Sequence, residues 1–87
     1  MEFEYDPAKS ESNRTKHGID FRTAKSLWLD PNRVEFVARF SAEVRYGLIG
    51  SSGGNLWVAI FTFREEKTRI ISVRRARENE TETYHNR

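Results

Sequence analysis

Eighty-seven residues make one small domain and leave no room for two, so residues 1–87 are expected to fold as a unit. Hydrophobic residues at 37% and aromatic residues at 13% exclude a disordered chain, and the absence of cysteine excludes disulfides and thiolate metal sites, as suits a cytoplasmic protein. The formal charge is only +2, yet the sequence pI is about 9.2, so what matters is where the basic groups lie.

The opening MEFEYDPAK has no basic segment followed by an apolar one, so no secretory signal is expected. Phe3 to Tyr5 alternate weakly and read as a short first strand. Asp6-Pro7 starts a helix, with Asp as cap and Pro at a position whose amide hydrogen is not needed. That helix runs to about His17 and stops at Gly18, and its almost wholly polar composition means tertiary contacts must hold it. A second helix runs from about Phe21 to Trp28, with Asp20 as cap and Phe21, Ala24, Leu27 and Trp28 on one face. Asp30-Pro31 ends it.

The period then changes to two. Val34 to Phe40 and Val44 to Ile49 read as strands, and Ser51-Ser52-Gly53-Gly54 reads as a turn. Leu56 to Phe63 has the composition of a central strand buried on both faces, and is far too short to span a bilayer as a helix. A charged turn at Glu65 to Lys67 leads to a last strand over Arg69 to Val73, and Arg77 to about His85 returns to helix. The order is β-α-α-β-β-β-β-α, an α+β fold with an antiparallel meander packed against helices. Trp28, Trp57, Phe36, Phe61 and Phe63 are expected in the core, although an exposed ring would be free to stack on a base.

Three stretches carry a family resemblance. Phe3, Tyr5, Asp6, Lys9, Asn13, Lys16, His17, Gly18 and Phe21 fit F-x-[WY]-D-x-x-K-x-x-x-N-x-x-K-H-G-x-x-F. Arg45 and Gly50 follow before the glycine turn. Arg69, Ile71, Ser72, Arg74, Ala76, Glu80 and Tyr84 fit R-x-I-S-x-R-x-A-x-x-x-E-x-x-x-Y. The chain thus resembles the BrnT family of toxins from Phe3 to Tyr84. Val73 and Arg77 depart from the pattern, which has a small residue and a Ser or Thr there. The resemblance implies a single RelE-like domain that cleaves RNA, inhibits translation and growth, and is neutralised by a BrnA-like antitoxin with a ribbon-helix-helix DNA-binding domain. It also implies a homodimer within the toxin–antitoxin complex.

RNA carries its own nucleophile, the 2′-hydroxyl. Cleavage without a metal needs a group to take that proton, cations on the phosphate, and a donor to the leaving 5′-oxygen. The chain has two histidines, many arginines and no Asp/Glu/His cluster at metal spacing, so neither cofactor nor metal is expected. His17 is the leading acid/base candidate, against the alternative that it only neutralises a helix end. Lys16 beside it either holds phosphate, acts as a base, or is a solvated helix-end cation. From Arg64 to Arg77 the chain is strongly basic. Strict alternation puts Arg69, Ile71, Val73 and Arg75 on one face of the last strand and Ile70, Ser72, Arg74 and Ala76 on the other. Arg74 is favoured for the active side, because Ser72 and Ala76 leave room beside it. Arg45, Arg64, Arg69 and Arg75 are phosphate candidates, each against an ordinary salt bridge. Glu80 and Tyr84 share a helix face. Glu80 either orients an arginine, acts as a base or makes a structural ion pair, and Tyr84 either contacts RNA or docks the helix. Two other readings stand beside the ribonuclease: a non-catalytic nucleic-acid-binding module, although no helix-turn-helix or RNA-recognition motif is legible, and an antitoxin-binding subunit.

Overall fold

The chain punctuates itself with caps and tight turns, and the computed structural model, which describes residues 1–86, follows them closely. Arg87, the last residue of the expected domain, lies outside the described residues. Asp6 accepts from the Ala8 amide at 2.9 Å and opens helix α1 (Pro7–His17), which closes on Gly18 in the left-handed conformation at φ 88°. Asp20 accepts from the Thr23 amide at 2.7 Å and opens α2 (Phe21–Ala24). The second helix then tightens into a 3-10 turn over Lys25–Leu29, which keeps Phe21, Ala24, Leu27 and Trp28 buried.

Strands β1 (Phe3–Glu4), β2 (Val34–Arg39), β3 (Arg45–Ser52), β4 (Asn55–Arg64) and β5 (Lys67–Arg75) form one sheet in the order β1-β5-β4-β3-β2. Helix α3 (Glu78–His85) follows. The four long strands are an antiparallel meander, as the alternation indicates. The sheet as a whole is mixed, because β1 joins the β5 edge in parallel, Phe3 opposite Thr68 and Glu4 opposite Arg69. β3 runs three residues beyond Ile49, so the turn to β4 is only Gly53-Gly54, both at positive φ. The β4–β5 turn is equally short but uses Glu65 and Glu66, at φ 51° and 67°. β2 ends at Arg39, and Phe40 lies outside it, exposed.

The core lies between one face of the sheet, called here the helix face, and α2 with its 3-10 extension. Leu48, Trp57, Ala59, Phe61, Ile70 and Val73 meet Ile19, Phe21, Ala24, Leu27 and Trp28 there. Phe63, expected in this core, is instead 56% exposed at the end of β4, where no helix reaches over it. Phe36 is half-buried on the opposite, outer face, with its ring seated on Gly47: a Cβ built there would come within 2.2 Å of it.

α1 packs by hydrogen bonds rather than by an apolar stripe, which explains its polar composition. Beyond the two residues paired with β1, the outer edge of β5 is open, and an open edge must find partners. Asn13, 7% exposed, supplies them: its Nδ2 donates to Val73 O at 2.9 Å and to Ile19 O at 2.7 Å, and the Val73 amide donates to its Oδ1 at 3.2 Å. One carboxamide thus replaces a short piece of neighbouring strand. Ser10 adds to this by accepting from the Phe21 amide at 2.9 Å.

Candidate functional site

The basic side chains are distributed by the register of β5, and that register departs from strict alternation. Phe61 pairs with Ile70 while the next residue back, Ile60, pairs with Ser72, so Ile71 is an extra residue in β5. Such a bulge shifts the side-chain phase by one. Residues directly opposite in paired strands share a face. Arg69 opposite Thr62 and Arg74 opposite Val58 therefore both lie on the outer face, whereas Arg75 opposite Trp57 lies on the helix face. The expectation that Arg69 and Arg75 share a face is corrected by this single residue. Arg75 lies over the Trp57 ring, 5.4 Å from its centroid, on the side away from the other arginines.

Arg74 is engaged by Glu80 through a two-point fork, both contacts 2.8 Å, and Glu80 also accepts from the Arg77 amide at 2.8 Å. The hydrogen bonds from Arg74 and, more weakly, the Arg77 amide hold the Glu80 carboxyl below the usual carboxylate range, against burial acting the other way. A carboxylate so acidified and so fully engaged is a poor proton acceptor. The same Glu80 hydrogen bond raises the affinity of Arg74 for its proton. The fork ties α3 to the end of β5. Tyr84 ties down the other end of α3 by donating to Asp30 at 2.6 Å, and Asp30 also accepts from the Ser51 amide at 2.8 Å. This geometry matches the structural ion pair and docking helix weighed for Glu80 and Tyr84.

The other outer-face arginines gather at the opposite end of the strands, about 15 Å from Arg74 at ~3.3 Å per residue. There Arg45, Arg64 and Arg69 line a cavity of about 170 Å³ with Thr62, Lys9, Asp6 and Glu43. Arg64 pairs with Glu43 at 3.2 Å and Arg69 with Glu4 at 3.0 Å. Lys9 and Arg45 have no ion pair among the described residues. The cavity is thus lined by four cations and two carboxylates, Asp6 and Glu43, with Glu4 reaching Arg69 from outside it.

A second groove, about 200 Å³, follows the seam between α1 and β5. Lys9, Ser12, Lys16 and His17 line it from the helix, and Ile71 and Ser72 from the strand. The bulge at Ile71 opens this seam, and Asn13 fixes its width by holding Val73. Lys9 and Ile71 line both grooves, which therefore adjoin, and the pair is called here the track. The structure places Lys16 and His17 together, as expected from sequence. Arg74 and Glu80 line neither groove, although Arg74 is the next outer-face residue after Ser72 on β5, as Arg69 is on the other side, and Lys9 is common to the Lys16–His17 groove and the Arg45–Arg64–Arg69 cavity. Lys9 was missed as a site residue, although it shares a helix face with Asn13 and Lys16 at the spacing i, i+4, i+7.

Among the described residues no three His, Asp or Glu side chains converge as a metal site, and no helix is long and apolar enough to cross a membrane. Residues 5–80 match the family model described as a ribonuclease toxin, BrnT, of a type II toxin–antitoxin system. No curated protein matches the chain.

Proposed function

Because the chain belongs to the BrnT family of ribonuclease toxins, we propose that it cleaves RNA at the α1–β5 seam by attack of the 2′-hydroxyl, without a metal. The observation that carries this reading is that the Lys16–His17 groove and the Arg45–Arg64–Arg69 cavity adjoin, with Lys9 lining both. A strand laid along the track meets imidazole in one groove and several cations in the next.

In the proposed step the 2′-oxygen forms a bond to phosphorus as the P–O5′ bond breaks. A 2′,3′-cyclic phosphate and a 5′-hydroxyl result. One proton leaves the 2′-hydroxyl and one arrives at the 5′-oxygen, and His17 serves one of these transfers, since an imidazole nitrogen can accept or donate a proton. Lys16 and Lys9 offset charge on the non-bridging oxygens. Arg45, Arg64 and Arg69 hold a neighbouring phosphate, with Glu43 and Glu4 giving way to it. Arg74, Glu80 and Tyr84 act as the clamp that fixes α3, and Arg75 stays outside the track.

The protein acts in the cytoplasm in this reading, on RNA needed for translation, and a BrnA-like ribbon-helix-helix antitoxin neutralises it by covering the basic track. The toxin is a homodimer within that complex. The test is cleavage of RNA by purified protein in EDTA, with end-group analysis, beside His17→Ala and Arg45→Ala. Cyclic or 3′-phosphate ends, lost in His17→Ala and weakened in Arg45→Ala, support the reading. Full activity in a folded His17→Ala variant, or no cutting by the folded wild type, overturns it in favour of a non-catalytic binding module.

A further inference from the structure

We infer that Phe63, backed by Tyr46, is a stacking shelf for an unpaired RNA base at the outer end of the phosphate track, a subsite that makes the protein prefer single strands. The inference rests on the ribonuclease reading for the identity of its ligand, but its own support is geometric.

Phe63 is a large apolar side chain left 56% exposed, and it is not loose. Its ring stands 5.2 Å from that of Tyr46 and 5.7 Å from that of Phe61, while Tyr46 and Phe61 stack on each other at 5.7 Å. Three rings thus form one block, rooted in the core through Phe61, that leaves more than half of Phe63 open to solvent. Pre-ordering of this kind removes the entropy a flexible side chain would lose on binding.

The shelf adjoins the cations. Tyr46 and Phe63 line a shallow depression with Ala42, Val44, Glu43 and Thr62, and the last two also line the arginine cavity. Arg64, next in sequence to Phe63, reaches into that cavity from the outer face. Phe63, opposite Thr68, lies on the helix face, so an RNA strand whose phosphate is held on the outer face by Arg45 and Arg64 brings the next base to the ring by passing over the Glu43–Thr62 rim that both depressions share. A basic groove along the backbone combined with an aromatic face for a base is the arrangement that binds single strands with little sequence preference. A duplex cannot use it, because its bases are already stacked.

The experiment uses a short single-stranded RNA, 2′-O-methylated so that it binds without being cut, with 2-aminopurine placed at each position in turn. The wild type is expected to quench the probe at one position, and Phe63→Leu to abolish that quench and weaken binding about 5- to 150-fold, the span of one base–aromatic stack. Phe63→Trp restores both. Because the ring is exposed, all three proteins should share one thermal midpoint to within a few degrees. Unchanged affinity and quenching in Phe63→Leu overturn the inference, as does a loss confined to assembly with antitoxin or a second copy. Cleavage of unmodified RNA is scored separately: stacking without cutting sinks the ribonuclease reading alone, and cutting indifferent to Phe63 sinks the shelf alone.

Discussion

Replacing Asn13 by alanine tests whether hydrogen bonds rather than apolar contact hold α1 to the sheet. The substitution deletes two donations and one acceptance and leaves the Val73 amide, the Val73 carbonyl and the Ile19 carbonyl without this partner at a site only 7% exposed. A buried polar group left unpaired costs about 1–3 kcal/mol. Three groups at the low end of that range give about 3 kcal/mol, a large fraction of the stability of a domain this size. The expected fall in thermal midpoint is roughly 12–24 °C, at about 4–8 °C per kcal/mol. Urea unfolding measures the loss directly and should show an unchanged slope. Asn13→Asp sharpens the test. An ionised carboxylate accepts from the Val73 amide but faces two carbonyls, so its folded pKa must rise above the unfolded one. Its stability is then fully present below the unfolded pKa and is lost as pH rises through the folded pKa. A loss under about 1 kcal/mol in Asn13→Ala, or an Asn13→Asp variant without that pH dependence, refutes the role of the carboxamide as a substitute strand.

Three further outcomes follow from the packing and the ion pairs. Gly47→Ala drives a Cβ into the Phe36 ring and should cost about 1–3 kcal/mol; combining it with Phe36→Leu should recover part of the loss, and strictly additive urea midpoints would contradict the contact. Glu80 has a lowered folded pKa, so its contribution is present above the unfolded carboxylate pKa and lost as pH falls through the folded value. The stability gap between wild type and Glu80→Gln should therefore narrow as pH is lowered, and a gap independent of pH would rule out the fork as its source. At the start of α3 only half of a capping box exists, because the arginine at position 77 has no oxygen to offer the Glu80 amide. Arg77→Ser completes it and should stabilise the protein by about 0.5–1 kcal/mol, read from the calorimetric midpoint.

The boundaries of α1 and the meander were legible because local chemistry decides them: Asp6, Gly18, Asp20 and Gly53-Gly54 act within a few residues of themselves. The bulge at Ile71 was not. It depends on how β5 seats on β4, and one extra residue moved Arg69 to the face of Arg74 and left Arg75 on the other. Exposure of Phe63 was equally hidden, since an aromatic residue in an apolar strand reads as core whether or not a helix reaches it. The parallel docking of β1 needs sixty-five residues of separation, beyond any local pattern. For the site, the helix end with Lys16 and His17 could be read directly. The company it keeps could not, because it is set by Asn13 reaching Val73 across the fold.

That reach also orders events during synthesis. The side chains of the track come from both ends of the chain, Lys9, Lys16 and His17 from the first helix and Arg69 and Ser72 from the last strand. A ribosome making this protein releases the histidine early, tethered to nothing that can hold it in place. Strands β2 to β5 close through local turns, and only then does an edge exist for the first helix to dock on. The cleft therefore cannot assemble until β5 has been made, and in the reading proposed above a half-made copy has no assembled surface with which to cleave RNA.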